Sequence, residues 1–395
     1  MTDTAGPAAT ADPLGIDIVV CTFHREALLA KLLASLAAMD EVPGTAVRII
    51  VADNSDAGTA QATVHAAAQG HPFQIVYLEA HPPNISVARN RAVAEATADF
   101  VAFLDDDQHV APNWLAAMAS AIRRHDYDVY FGPFTPEFAE PAAAGPAAHA
   151  QFTRASPLAD GAEVAPGRAA RLAQGFVLAT SNSVFRRATM LTDPAPFDFY
   201  LGANGGEDLL LMAAKHRAGC RFGWVAEAMV YDAIPASRCD LGYLTRRAVA
   251  GGQSFAIVTV LTSRRPRLTR LTLPLVAAAQ LAVGLVPHAL AVLSGDRTRR
   301  EAARIATAGR WGKLTFWSRR MPLYRWEEKG LAGAPASDGG GGASPTGSAA
   351  MERTPTNRTP MNRASTDIAP AGRMPKQPAQ GQTAPNQTGT TPPDA

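Results

Sequence analysis

Phe100-Val101-Ala102-Phe103-Leu104-Asp105-Asp106-Asp107 is a hydrophobic run that stops abruptly at three consecutive carboxylates. Five adjacent apolar residues, two of them Phe, suit a strand covered on both faces, as in a parallel sheet flanked by helices. The acids then fall at the carboxyl end of that strand, where ligands bind in open α/β sheets. Neighbouring carboxylates repel one another, and a divalent cation shared with an anionic ligand relieves that repulsion. An ordinary acidic turn is the alternative for the three acids alone. The pattern on either side favours a site.

Toward the N-terminus the same rhythm repeats. Ile16 to Cys21 reads as a strand, Thr22-Phe23-His24-Arg25 as a loop, and Glu26 to Met39 as a helix with Leu28, Leu29, Leu32, Leu33 and Leu36 at helical spacing. Val47 to Ala52 is a second strand and ends at Asp53-Asn54-Ser55-Asp56; a helix over about Thr59 to Gln69 follows. Phe73 to Leu78 and Ile85 to Ala96 supply the third strand and helix. Strands alternating with helices imply βαβ units and a mainly parallel α/β sheet.

Toward the C-terminus a helix carries Trp114, Leu115, Met118 and Ile122, and Asp128 to Pro133 reads as a strand ending in a turn. The Ala, Pro and Gly-rich stretch from Glu140 to Ala170 has weak periodicity and reads as a loop or lid with one short helix at most. Order returns over Gly175 to Phe185. Gly205-Gly206-Glu207-Asp208 then opens a helix to about Ala218, with glycines that allow close backbone approach and acids where the helix dipole favours them. An ordinary acidic first turn explains that motif equally well on its own.

The 395 residues, 47% hydrophobic, can bury a sizeable core. A net charge of +2 says little, but acids concentrate in the first two thirds and Arg between Arg264 and Arg325, which points to an anionic surface as partner. Cys21, Cys220 and Cys239 have no CxxC spacing, so neither a disulfide framework nor a zinc site is indicated, and a reducing cytoplasm fits. Met1 to Leu14 lacks a basic start and an apolar core, so no secretory signal is expected there. Leu271 to Leu293 carries no formal charge and is long enough to span a bilayer, although Pro274, Gln280, Pro287 and His288 interrupt it. Arg264, Arg265, Arg267 and Arg270 before it and Arg297, Arg299 and Arg300 after it favour a re-entrant or interfacial helical hairpin over a true span or a buried core helix. Trp311, Trp317, Tyr324 and Trp326 among Arg and Lys read as an interfacial basic and aromatic segment. The domain plan is a disordered N-terminus 1–14, a catalytic domain 15–262 with halves 15–110 and 111–262, a membrane-associated helical segment 263–330, and a disordered tail 331–395 poor in large apolar residues.

Taken in order, Val19 to Arg25, Val51 to Ser55, Asn84-Ile85-Ser86-Val87-Ala88-Arg89-Asn90, Phe103 to Asp107 and Gly205 to Asp208 resemble glycosyltransferase family 2 over roughly Ile16 to Thr262. Within it the chain looks most like bacterial exopolysaccharide enzymes, including the β-glucosyltransferases of succinoglycan assembly. The resemblance implies a GT-A fold and an inverting, metal-dependent hexosyltransferase with Mg²⁺ or Mn²⁺. It implies a UDP-sugar donor, a lipid-linked saccharide acceptor and a place on the cytoplasmic face of the plasma membrane beside other polysaccharide-assembly proteins, with no nucleic-acid partner.

It also implies roles residue by residue. Asp208 would be the general base, with Glu207 the neighbouring alternative. Asp53 would accept the uracil N–H and Phe23 stack on the base, within the loop that also carries Thr22 and Arg25. Arg89 would neutralise the diphosphate and Asn90 organise its loop; Asp106 would hold the ribose. Asp107, then Asp105, would bind the metal. Arg246, Arg247 and Gln253 would close over the diphosphate or hold the acceptor. Relatives often place a His after the last strand of the domain, where this chain has Val230-Tyr231-Asp232, so the third metal ligand is Asp232 or absent. His109 has no partner at ligand spacing and reads as structural. A nucleotidyltransferase would need a Gly-rich loop that Thr22-Phe23-His24-Arg25 lacks, and a catalytically silent sugar-nucleotide binder would not need Asp208.

Overall fold

The computed structural model describes residues 13–318. The expected disorder before residue 13 and from 331 to 395 lies outside them, as does the aromatic segment from Tyr324 to Trp326. In chain order the structure runs β1 (Leu14–Thr22), α1 (Glu26–Ala37), β2 (Thr45–Asp53), α2 (Gln61–Ala68), β3 (Gln74–Glu79), α3 (Ile85–Glu95) and β4 (Phe100–Asp105). It continues with β5 (Gln108–Val110), α4 (Trp114–Arg124), β6 (Val129–Phe131), β7 (Phe134–Phe138), α5 (Pro146–Phe152), β8 (Glu163–Val164), α6 (Arg168–Gln174) and β9 (Ser183–Arg186). The single-turn helices α7 (Arg187–Met190) and α8 (Phe199–Gly202) lead to α9 (Glu207–Arg217), β10 (Phe222–Trp224), β11 (Val230–Ile234) and the short α10 (Ala236–Cys239). Three long helices follow: α11 (Leu241–Leu261), α12 (Pro266–Leu293) and α13 (Arg297–Leu314).

Eight strands form one sheet in the order β3-β2-β1-β4-β9-β6-β10-β8. The first four are parallel, β9 is antiparallel to both β4 and β6, and β10 returns parallel to β6. The sheet is covered on both faces, which is why its strands read as continuous apolar runs. Along β1, Ile16, Ile18 and Val20 enter a core with α1, α2 and α4, while Val19 enters the opposite core with α3 and α9. Register aligns Thr22 with Asp53 and Cys21 with Asp105, so the polar ends of β1, β2 and β4 share one edge.

Three regions depart from expectation. A second sheet, β5-β11-β7, stands beyond β4 and brings β11 across from the acids. The stretch from Glu140 to Ala170 holds a 3₁₀ turn, α5 and β8 where one short helix at most was expected; its small Ala residues conceal the periodicity. The apolar segment 271–293 contains no hairpin, because α12 is one helix of 28 residues that continues through Pro274 and Pro287. The turn comes after it, near Gly295, and α13 runs back along both α11 and α12. Nor is α12 a core helix. Its buried residues are Ala277, Gly284 and Ala291, one narrow seam of small side chains seven residues apart. By length and composition α12 could cross a membrane, and only 17% of its most apolar window is buried within the protein.

Candidate active site

One cleft of about 2460 Å³ opens at the shared edge of β1 and β4. Its floor is the end of β4. Thr22 Oγ1 donates to Asp106 Oδ2 at 2.8 Å, and Arg25 Nη1 donates to Asp106 Oδ1 at 2.9 Å and to Asp107 Oδ2 at 3.1 Å. Arg238, just beyond α10's first residues, reaches the same Asp107 oxygen at 3.2 Å. Asp232 on β11 faces Asp105 and Asp107. Burial, then the charges of Asp107 and Asp105, push its pKa up to about 7. Burial also raises Asp106 to about 7, with Arg25 opposing and Asp107 adding to the shift. Asp105 is raised by burial and by Asp107.

The opposite wall is the start of α9. Gly205 and Gly206 both take positive φ, +82° and +108°, and a side chain at Gly206 would run into Ser254 of α11. That turn sets Glu207 and Asp208 apart. Glu207 is buried and pairs with Arg89 at 2.5 Å. Burial and the neighbouring Asp208 push its pKa up to about 7 despite Arg89, and its Oε2 finds no hydrogen-bond partner. Arg89 is pulled down by burial, but Glu207, Asp208 and Asp105 outweigh that and hold it above its ordinary value. Asp208 instead accepts backbone N–H bonds from Leu209 at 2.6 Å and Thr180 at 3.4 Å, and it lines the cleft.

Not every expected residue reaches this cleft. Thr22, Phe23, Arg25, Arg89, Asp105, Asp106, Asp107, Glu207, Asp208 and Arg247 line it together. Asp53 lies beneath, fully buried, accepting from Ser55 N, Ala60 N and the Tyr77 hydroxyl at 2.8 to 3.0 Å. Those donors fix the loop into α2. Asn90 exchanges two bonds with the backbone of Phe197, at 2.8 and 2.9 Å, and organises that loop as expected. Gln253 is buried and donates to Thr315 O at 3.4 Å, tying α11 to the end of α13. Arg246 is also absent from the cleft wall and lies against Gly242. His109 stacks on Tyr231, ring centroids 4.9 Å apart, in keeping with a structural role.

Arg154, Ser181 and Arg238 escaped the sequence reading. Arg154 is wholly buried, sits 4.5 Å over the Phe134 ring, and donates to the backbone carbonyls of Ala179, Ser181 and Asn182. Burial lowers its pKa to about 9, with Asp105, Asp232 and Asp208 opposing. The loop it holds presents Thr180 to Asp208 and Ser181 to Asp105 and Gln108. Nothing in its sequence neighbourhood marks it, because it sits in the aperiodic stretch. Arg238 could have been found as a cation shortly after the last strand.

Among the described residues no three His, Cys, Asp or Glu side chains stand as a ready metal cluster. The donor chemistry nevertheless fits a hard divalent cation: Asp105, Asp107 and Asp232 offer carboxylate oxygens, burial and the neighbouring carboxylates raise the proton affinity of Asp105 and Asp232, and a cation would relieve that repulsion.

Residues 17–186 match the family description "Glycosyl transferase family 2". The chain is 33% identical over 243 residues to the succinoglycan biosynthesis protein ExoM of Rhizobium meliloti strain 1021, covering 62% of this chain and 74% of that one. Among solved structures it is similar to Staphylococcus aureus TarS 1–349 in complex with UDP, at 18% identity and a TM-score of 0.43, covering 80% and 91% of the two chains. It is also similar to a mannosyltransferase of Pyrobaculum calidifontis in complex with GDP-Man and Mn²⁺, at 19% identity and a TM-score of 0.48, covering 76% and 88%.

Proposed function

The chain belongs to glycosyltransferase family 2, with its GT-A-like α/β fold, and on that premise we propose that it is an inverting hexosyltransferase. It moves a hexose, glucose first among candidates, from a UDP-sugar to a lipid-linked oligosaccharide or polysaccharide in surface-polysaccharide assembly. The observation that carries this reading is the placing of Asp208 across one cleft from the Asp105-Asp106-Asp107 cluster. The kinship with a succinoglycan biosynthesis protein supports the pathway.

The two acids of α9 have different work. Glu207 is engaged by Arg89, whereas Asp208 is oriented by two backbone N–H groups and keeps lone pairs toward the cleft. Asp208 therefore takes the proton of the acceptor hydroxyl as that oxygen bonds to the anomeric carbon, from the face opposite the diphosphate. The bond from that carbon to the diphosphate oxygen breaks, UDP leaves, and an α-linked donor yields a β-linkage. Asp107 and Asp105, with Asp232 as third ligand, would hold Mg²⁺ or Mn²⁺, which supplies Lewis-acid stabilisation of the leaving diphosphate. Arg25 spans Asp106 and Asp107 and, with Arg238, limits their repulsion before substrate arrives. Phe23 offers the base a ring face, Thr22 orients Asp106 toward the ribose, and Arg89 acts through Glu207 rather than on phosphate. Arg247 serves the acceptor side. The exposed face of α12 holds the enzyme at the cytoplasmic surface of a membrane, with both Arg-rich flanks at the headgroups.

The deciding experiment is UDP release from a panel of UDP-sugars, with Mn²⁺, Mg²⁺ or EDTA. Metal-dependent release from one donor is expected and names the sugar. Absence of release with every donor, even with a lipid extract supplied as acceptor, would overturn the reading.

A further inference from the structure

The cleft does not end at Asp208. It continues past Ser254 and Phe255 of α11 and opens between α12 and α13. Val276, Ala279, Val283 and Pro287 recur at helical spacing along α12 and form one wall, and Ile305 of α13 stands on the other. These side chains bring no hydrogen-bonding group to a ligand. Beside the wall the chemistry changes to cationic. Arg310 lies over Gly284, where an added Cβ would stand 2.6 Å from its Nη1, so the absent side chain makes the guanidinium's seat. Lys313 Nζ stands 4.8 Å above the Phe255 ring, and the Arg247 guanidinium 5.1 Å over Phe152. Among the described residues neither Arg247 nor Arg310 has a carboxylate partner.

We propose that this limb of the cleft binds the lipid diphosphate of the acceptor, with the aliphatic chain between α12 and α13, the diphosphate at Arg310, Lys313 and Arg247, and the attached sugar at Asp208. The inference rests on the transferase reading and adds to it a site and its residues. A free saccharide would gain little from a Val, Ala and Pro wall with the single amide of Gln280 among them, and a nucleic acid would call for a broad basic surface rather than cations at the head of an apolar groove. An amphiphile with an anionic head matches both. Continuity of the limb with the carboxylate cleft places that head on the path to the base. On the outer side of α12, Leu271, Leu275, Leu285 and Leu290 are exposed, so an aliphatic chain can enter sideways from a bilayer.

The test uses the full chain and sedimentation with three kinds of phosphatidylcholine vesicle: plain, carrying a polyprenyl diphosphate, or carrying phosphatidylglycerol at equal charge. Wild type should prefer the polyprenyl diphosphate vesicles. Arg310→Gln should weaken that preference about tenfold, the scale of one charge-assisted contact. Ala279→Trp, at an exposed position, should obstruct the groove and remove the preference, while UDP binding measured by calorimetry reports that both variants are folded. An unchanged preference in both variants, or equal binding to phosphatidylglycerol, would overturn the inference and leave the transferase standing. Failure of wild type to bind UDP would overturn the transferase reading and this site with it.

Discussion

The two ends of the cleft handle charge in opposite ways. At the end of β4 and the start of α9 the acids meet partners inside the fold: Ser181 on Asp105, Arg25 and Thr22 on Asp106, Arg25 and Arg238 on Asp107, Arg89 on Glu207. Between α12 and α13, Arg310 rests on a glycine, and among the described residues no carboxylate pairs with it. The contrast is one of preorganisation. The acidic end is assembled before substrate comes, so its groups lose little freedom on binding; the basic end gains its counter-charge from the ligand.

The sharpest test of the preorganised end is Asp208→Asn, which keeps shape and removes the base. It should lower kcat by roughly 10²- to 10⁴-fold with UDP binding retained. An equal loss from Glu207→Gln alone, with no change in stability, would reverse the two assignments. Arg154→Met comes next. It strips the donors from the carbonyls of Ala179, Ser181 and Asn182 in a wholly buried setting, and should destabilise the chain by about 3 kcal/mol in a denaturant titration. A loss near zero would mean that the loop under Asp208 holds itself. Asp232→Asn should weaken Mn²⁺ affinity, read by paramagnetic resonance, on the order of 10- to 100-fold; unchanged affinity would leave Asp105 and Asp107 as the only protein ligands.

The smallest effect is on pH dependence. Asp106, Glu207 and Asp232 have folded pKa values of about 7 against ordinary values of 3.8, 4.5 and 3.8. In that window the folded chain binds more protons than the unfolded one, so stability is greatest at its acidic side and is lost as pH rises toward 7. Asp17, held below its ordinary value of 3.8 by Arg48 and two backbone N–H groups despite burial, acts in the other direction: its contribution is present above that value and is lost only as pH falls below it. In EDTA the melting temperature should therefore decline between about pH 5 and pH 7.5, and Mg²⁺ or Mn²⁺ should flatten the decline. A flat profile in EDTA would show that Arg25 and Arg238 neutralise the cluster unaided.

The first half of the fold was legible because each strand is apolar on both faces and ends at a polar residue that the register then aligns, Thr22 with Asp53 and Cys21 with Asp105. The cap of α3 was not read from the sequence: Asn84 opens the helix by accepting from Ser86 N at 2.8 Å. The hydrogen bonding of Asp53 was not legible, because residue type does not reveal that its carboxylate accepts from Tyr77 and two backbone N–H groups. Arg154 was invisible, since burial of a lone cation depends on aromatic neighbours far away in sequence, Phe131 and Phe176 among them. The shape of α12 escaped because Pro274 and Pro287 predict a break in an isolated helix, whereas its packing along α13 sustains it here.

One feature of the helical wall concerns size rather than charge. At Gly252 a methyl group would overlap the Gly309 carbonyl, and at Gly312 it would overlap that of Val249, so α11 and α13 meet backbone against backbone. Helices so closely joined cannot slide without separating, and α11 also presses on Gly206 beside the base. The separation between Asp208 and Arg310 is thereby fixed like the jaws of a caliper. On the proposed reading, an acceptor gripped by its diphosphate at Arg310 would place one particular sugar of its chain at Asp208, so that the distance between the two would measure the acceptor's length.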